Sequence, residues 1–379
     1  MTACSIRHGM MRRAARAKAL SSITLTTSLI MLALWPQLAA AWWDNGHMLV
    51  AAVAQQFLEP DDTRLLESVL DGHLSGPQGS FSDLVSAAVW ADQIKCSSSA
   101  PFCPLATMPS LPIFDTWHYM SECAPVNGYP RSANPCPQQD RLDRGIADEM
   151  LVSLLRTFST THSTMSASFA LRMVVHITGD VHQPLHAMDG VDVNHPGGDI
   201  GGNARRFQRS CNSTNLHALW DSGGGRYPLN WVATRPEWEA MKAALLEEAA
   251  QMAADHAQVK AMDDLFFAEH LHGLAWEDAL RALGSAGGTG LIRQMIGESA
   301  RIAQSEVYAR LQLNPATPGG LLPCPGAGYF ANAGDVSAAR ITVGGYRLSF
   351  LLKLIASQLR EHGLMLPQQP DGALRKAEL

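Results

Sequence analysis

His176 and Asp180, and again His217 and Asp221, stand four residues apart within stretches of helical pattern. On a helix, residues at that spacing lie about 40° apart around the axis and one turn along it, so each pair projects an imidazole and a carboxylate from one face. Imidazole nitrogen and carboxylate oxygen are the usual non-sulfur ligands of zinc, at roughly 2.0–2.2 Å, and sites with three protein ligands keep a position for water. His186 follows Pro184, which must break the helix, and adds a third imidazole close to the first pair. One His-x-x-x-Asp alone is more often an ordinary hydrogen-bonded pair. Two of them with a flanking histidine point to open, catalytic metal sites.

The elements that must carry these groups follow from periodicity. Ser166 to His182 reads as a central helix, apolar through Phe169, Leu171, Met173, Val174 and Val175, so His176 and Asp180 enter a largely buried environment. Burying them unpartnered would be expensive, and metal coordination removes that cost. Between the two pairs lies a loop rich in Gly, Asp and Asn, His195 to Asn203, followed by Arg205 and Arg206. Further helical patterns cover Met48–Leu58, Asp61–Leu70, Ser82–Lys95 and Arg141–Phe158, and then Glu237–His256, Met262–His270, Leu274–Leu283, Leu291–Leu311 and Ile341–Arg360. Residues 96–115 read as loop, leading into a short extended segment from Phe114 to Met120. Strand alternation is sparse, which predicts an all-α fold in a single domain.

The first 41 residues have the composition of a secretory signal. Arg7, Arg12, Arg13, Arg16 and Lys18 precede an apolar stretch from Ile23 to Leu34, and Ala39-Ala40-Ala41 supplies the small residues of a cleavage site. A retained membrane anchor is the alternative; nothing downstream has an apolar span of transmembrane length. Cleavage after Ala41 leaves residues 42–379 as the domain and, by removing five positive charges, takes the net charge from −6 to −11. So acidic a chain argues against a broad basic groove for nucleic acid; if it handles phosphates, bound cations must supply the positive field. Cys96, Cys103, Cys123, Cys136, Cys211 and Cys324 remain, an even number in an exported chain. Of fifteen possible complete pairings, local Cys96–Cys103 and Cys123–Cys136 bridges are favoured. None of these cysteines has the spacing of a zinc ribbon.

The order Trp42-x-x-x-Gly46-His47, Trp90-Ala91-Asp92, His118-Tyr119, His176-x-x-x-Asp180-x-x-x-x-x-His186, Gly201-Gly202-Asn203 and Asn215-Leu216-His217-x-x-Trp220-Asp221 resembles the zinc-dependent secreted nucleases of the S1/P1 type, the class I nucleases. The resemblance runs from Trp42 to the Gly345-Tyr346-Arg347-Leu348 segment. It implies the helical fold shared by zinc phospholipase C and these nucleases, and a centre of three zinc ions. Asp92, His118, His176 and Asp180 would surround one zinc, with Asp180 bridging to a second. The amino nitrogen and carbonyl oxygen of Trp42 would hold that second zinc together with His47, and His186, His217 and Asp221 would hold the third. The terminal ligand has its own chemical logic. An α-amino group of pKa about 8 is easily deprotonated beside a cation, and only cleavage after Ala41 exposes the one on Trp42. Taken singly, Asp92 could equally be a capping or surface carboxylate and His118 a packed histidine. His182, two residues past Asp180, points around the helix and is assigned no ligand role, standing either behind the ligands or on the surface; Trp90 and Trp220 read as core.

By the same resemblance, the first two zincs activate the attacking water and the third takes a phosphate oxygen and the departing 3′ oxygen, giving 5′-phosphorylated nucleotides. Lys95, where the family has a basic residue, would stabilise charge on the reacting phosphorus, or else be a helix-end surface lysine. Tyr119 matches an aromatic that stacks on a base, and stacking tolerates sequence variation. Ser121 and Glu122 stand where fungal relatives have an acidic base reader, which leaves base preference open. The expected substrates are single-stranded DNA, RNA and 3′-nucleotides, with no stable membrane anchor and no protein partner. A secreted zinc phospholipase C is the alternative enzyme; the Asp at 221 and the short Trp42–His47 spacing favour the nuclease. A non-catalytic zinc-binding export protein is the alternative from another class.

Overall fold

The computed structural model describes residues 42–72, 74, 81–95, 112–130, 144–208, 211–229, 237–284, 289–313 and 320–364. These belong to one compact unit, and the fold is all-α apart from two four-residue strands. The leader and the favoured partners Cys96, Cys103 and Cys136 lie outside the described residues. Cys123 is disulfide-bonded, and a Cys211–Cys324 bridge is present.

The chain opens with α1 (Asp44–Gln56) and α2 (Pro60–Asp71). Proline at the first turn of α2 costs no hydrogen bond, because that amide has no intrahelical acceptor. The expected helix over Ser82–Lys95 is instead two short turns, α3 (Leu84–Ala87) and α4 (Trp90–Gln93). Asp83 caps α3 by accepting from the Val85 and Ser86 amides. The expected extended segment at Phe114–Met120 is also different: Pro112–Trp117 forms a 3-10 helix, and the strand β1 comes later, at Glu122–Pro125. Proline at 112 starts that turn with its φ already set, a local effect that outweighs the aromatic and β-branched residues.

The centre of the molecule is α6 (Thr164–Asp180), which follows α5 (Ala147–Thr160). Ser163 caps α6 by accepting from the Ser166 amide. From Ala170 to Asp180 every residue of α6 is buried, as a helix apolar on all sides requires. Arg172 is fully buried there but spends its charge on the carbonyls of Phe81 and Leu70, at 2.5 and 2.8 Å. Helices α1, α2, α4 and α5 all pack on α6.

Beyond α6, a 3-10 turn at Pro184–His186 leads into β2 (Met188–Val191), which pairs in parallel with β1 from Glu122–Met188 to Pro125–Val191. This two-strand ladder is small but fastens the segment carrying His118 to the one carrying His186. The second half comprises α7 (Leu216–Asp221), α8 (Trp238–Ala253), α9 (His256–Ala261), α10 (Phe267–Leu271), α11 (Trp276–Gly284) and α12 (Leu291–Ile302). A π-helical segment, Ala303–Tyr308, extends α12. The last helix, α13 (Ala327–Glu361), begins well before the apolar periodicity at Ile341 and packs most extensively on α1. Gly345 permits this approach, since a Cβ there would lie 2.6 Å from the Val53 side chain. No helix among the described residues is long and apolar enough to cross a membrane.

Candidate metal centre

Ligand-type side chains from six separate segments converge at the C-terminal end of α6. Three groupings have ligand atoms within 4.8 Å of one another: His47, Asp92 and His176; His118, His176 and Asp180; and His186, His217 and Asp221. All eight residues are buried. Asp180 is the hub, and its two oxygens face different neighbours. Oδ1 lies 3.4 Å from His47 Nε2, whereas Oδ2 lies 3.0 Å from His118 Nδ1 and 3.3 Å from His176 Nε2. Asp92 Oδ1 stands 3.7 Å from both His118 Nδ1 and His176 Nε2.

Two glycines make room for this crowding. A Cβ on Gly179 would lie 2.8 Å from His47 Nδ1, and one on Gly46 would lie 2.7 Å from Trp42 Cβ. Trp42 is itself buried and donates its indole N–H to the Gly179 carbonyl at 3.0 Å, which brings residue 42 beside the hub. The Trp43 amide donates to the Asp221 carbonyl at 3.0 Å and ties the same segment to the third grouping. His47 and His176 stack with centroids 3.9 Å apart.

The imidazoles are oriented from behind. His176 Nδ1 donates to the Ala88 carbonyl at the break between α3 and α4 (2.6 Å), His186 Nδ1 to the His118 carbonyl (2.7 Å), and His217 Nδ1 to the Gly201 carbonyl (2.7 Å). A carbonyl only accepts, so these three rings carry their proton on Nδ1 and turn Nε2 inward, the arrangement that typically backs a metal-binding histidine. The Gly201 carbonyl is held in turn by its loop, where Asp199 accepts from the Gly190 and Gly202 amides at 2.9 Å each and binds Arg205. Arg205 is buried and also pairs with Asp192 at 2.9 Å, so it braces the loop rather than facing the centre. Gln183 donates to Asp221 Oδ1 at 2.6 Å.

The electrostatics separate the carboxylates. Burial would raise Asp180, but His176 and His118 outweigh it and hold its pKa well below the ordinary value. For Asp92, burial is likewise outweighed, chiefly by Lys95, whose ammonium lies 2.6 Å away. Lys95 is nearly fully buried, and Asp92 overcomes the cost of burial to raise its pKa. It is therefore no surface lysine. Among the described residues no lysine or arginine pairs with Asp221, and burial pushes it well above the usual carboxylate range. Burial also lowers His176 to about 3 and depresses His186, which keeps these rings neutral and available as donors.

The residues present fit metal ions. His47 Nδ1 and Nε2, His118 Nε2 and both Asp180 oxygens are buried without a hydrogen-bond partner, whereas Asp92 Oδ1 has the Lys95 ammonium. Leaving so many polar atoms unsatisfied would cost on the order of 1–3 kcal/mol each, and a shared cation of the nitrogen- and oxygen-loving kind relieves most of them at once.

Tyr119 follows His118 and is half-buried; its carbonyl accepts from the Ala147 amide at 3.2 Å. Gly145 sits against it with φ of 80°, a position where a Cβ would lie 2.0 Å from the Tyr119 carbonyl oxygen. Trp90 and Trp220 are core residues, as the sequence suggests. His182 is not on the surface. It is fully buried with both ring nitrogens engaged, Nδ1 with the Thr178 carbonyl at 2.7 Å and Nε2 with Arg347 at 3.2 Å, so it has nothing left for a metal. Sequence reasoning missed Gln183, although its place inside the Asp180–His186 interval was a usable signal, and the backing carbonyls of Ala88, His118 and Gly201, for which side-chain types carry none.

A sequence model of the S1/P1 Nuclease family matches residues 42–357. Nuclease S1 of Aspergillus oryzae is 29% identical over 203 residues, 52% of this chain and 61% of that protein. Endonuclease 2 of Arabidopsis thaliana is 26% identical over 51% of this chain and 61% of its own length, and Nuclease P1 of Penicillium citrinum is 27% identical over 48% and 57%. The chain thus spans about three fifths of the length of the curated relatives it matches. With the family match covering most of the chain and the converging histidines and aspartates at its centre, this protein belongs to the S1/P1 nuclease family.

Proposed function

We propose that this chain is an exported, zinc-dependent nuclease and 3′-nucleotidase that hydrolyses single-stranded DNA and RNA to 5′-phosphorylated nucleotides. The observation that carries the reading is the set of unpartnered, fully buried nitrogen and oxygen atoms around Asp180. The family supplies the reaction class, and the names of the relatives supply the nucleic-acid substrate.

Three zinc ions would be held by Trp42, His47 and Asp180; by Asp92, His118, His176 and Asp180; and by His186, His217 and Asp221. The different neighbours of the two Asp180 oxygens support its bridging role. The Trp42 amine becomes a ligand only when residues 1–41 are removed, which ties the metal reading to export. Ions bound there would supply an activated water and neutralise charge on a phosphodiester.

The chain's own groups do the rest. Buried walls keep the carboxylates in a low-dielectric setting where their charge counts for more than in water. Lys95, pinned at 2.6 Å to Asp92, is a fixed positive charge beside the reacting phosphate and also orients that carboxylate. Tyr119 offers a ring to an unpaired base, which a flexible single strand can present and a duplex cannot.

The test is metal analysis of the purified protein with N-terminal sequencing, and a parallel assay on single-stranded DNA, RNA, 3′-AMP and phosphatidylcholine with and without chelator. The expected result is a chain beginning at Trp42, about three zinc ions, and chelator-sensitive cleavage of the nucleic acids. Full activity in zinc-free protein, or cleavage of phosphatidylcholine alone, would overturn the proposal.

A further inference from the structure

The turn joining the two ends of the metal centre, from Asp180 to His186, is held from outside by a second buried cluster. Helix α6 ends at Asp180, where the last carbonyls of a helix have no partner within it. The Val181 carbonyl accepts from Ser299 Oγ at 2.6 Å, and the His182 carbonyl from Arg340 Nε at 3.2 Å. Arg340 also donates to Ser299 Oγ at 2.9 Å, so the two donors are locked together. Glu298 aims Arg340 at 2.8 Å and is gripped at both oxygens by Arg347, at 2.6 and 3.1 Å. Asp263 anchors Arg347 at 2.8 Å. Gly344 sits against the His182 ring, where a Cβ would lie 3.1 Å from Cγ. The Gly344-Gly345-Tyr346-Arg347 stretch therefore seats His182, lets α13 meet α1, and supplies the fully buried arginine.

We propose that Arg340 and Ser299 are positioning residues for the metal centre: they fix the Asp180–His186 turn, and so set where the His186, His217 and Asp221 group stands relative to the Asp180 group. The inference rests on the metal reading above. A salt-bridged cluster serving stability alone could be replaced by apolar packing at little cost. This one directs two donors onto the backbone oxygens between ligand positions, and a cationic donor at a helix C-terminus is electrostatically favoured there. Losing the clamp frees the turn, and the ion furthest from α6, held by His186, His217 and Asp221, should loosen first.

The test counts zinc retained by the purified holoprotein across graded chelator concentrations. Outer partners of metal sites typically contribute 10–100-fold in affinity. Ser299→Ala should release one zinc at about tenfold lower chelator while the other two behave as in wild type and the circular dichroism is unchanged. Arg340→Met should show a larger shift of the same single ion, and Arg340→Lys should recover part of it, since an ammonium replaces one donor but not the forked pair. Leu283→Ala, a core change in α11, should lower the melting temperature and leave zinc retention as it was. Wild-type retention of all three ions in both Ser299→Ala and Arg340→Met overturns the inference, as does equal weakening of all three. Wild-type protein that holds no zinc overturns the metal reading and this inference with it.

Discussion

Two buried polar clusters lie on either side of the Asp180–His186 turn, and they resolve the same difficulty in opposite ways. In the cluster of Arg340, Arg347, Glu298 and Asp263, joined at its exposed edge by Asp264 at 3.7 Å from Arg347, two arginines meet three carboxylates, and none of the four buried side chains has a buried polar atom left without a partner among the described residues. Around Asp180, Lys95 is paired with Asp92, the histidines are ring donors, and among the described residues five side-chain atoms of His47, His118 and Asp180 have no hydrogen-bond partner. A cluster whose buried polar atoms are all partnered marks a structural element; one with unpartnered, converging donors marks a place for cations. Burial alone does not separate them.

The largest effect should come from opening the second cluster further. Asp180→Ala removes the carboxylate that lies within 3.4 Å of His47, His118 and His176 at once, and turnover should fall by about three decades or more as two of the proposed zincs are weakened together. Near-normal turnover with three zincs bound would break the comparison on that side. On the other side, Arg347→Met leaves Glu298 and Asp263 buried without their main partner and should destabilise the fold by about 3–5 kcal/mol in urea unfolding; no loss of stability would mean the closed cluster is not closed.

Glu298→Gln sharpens the contrast through pH. Burial would raise Glu298, but Arg340 and Arg347 hold it below its ordinary 4.5. A carboxylate with a depressed folded-state pKa stabilises most above its unfolded value and loses that contribution as pH falls. The variant should therefore be less stable than wild type by about 1.5–3 kcal/mol at neutral pH, and the two should converge as pH drops below 4.5. A gap that widens on acidification would contradict this. Tyr119→Ala should have the smallest effect: weaker binding worth about 1–3 kcal/mol per stacked base, read as a raised KM with zinc content intact. An unchanged KM would remove the stacking role.

The sequence made the converging histidines and aspartates legible because imidazoles and carboxylates recur at helix spacing and in a family order. The central helix was legible for the same reason, from uninterrupted apolar periodicity over residues that are in fact buried. The break between α3 and α4 was not, because Leu84 to Gln93 has helical composition throughout, and the carbonyl that the break turns toward His176, that of Ala88, belongs to the backbone. The first half of α13 was hidden by small and polar residues from Ala327 to Arg340, which are held by tertiary contacts of Tyr329, Phe330, Ala333 and Gly334 with the Trp220–Gly224 segment rather than marked by their own pattern. Whether His182 stood behind the ligands or on the surface was not legible, since its partners, Arg340 and Arg347, lie more than 150 positions away in the chain.

The three carbonyls behind His176, His186 and His217 have a consequence for how fast the centre fills. Each ring already carries its single proton on the far nitrogen and turns Nε2 inward, so an ion arriving at the proposed centre would meet no tautomer exchange at these positions. Loading should then be paced by the shedding of the ion's own hydration and by passage into the cavity, not by rearrangement of these imidazoles.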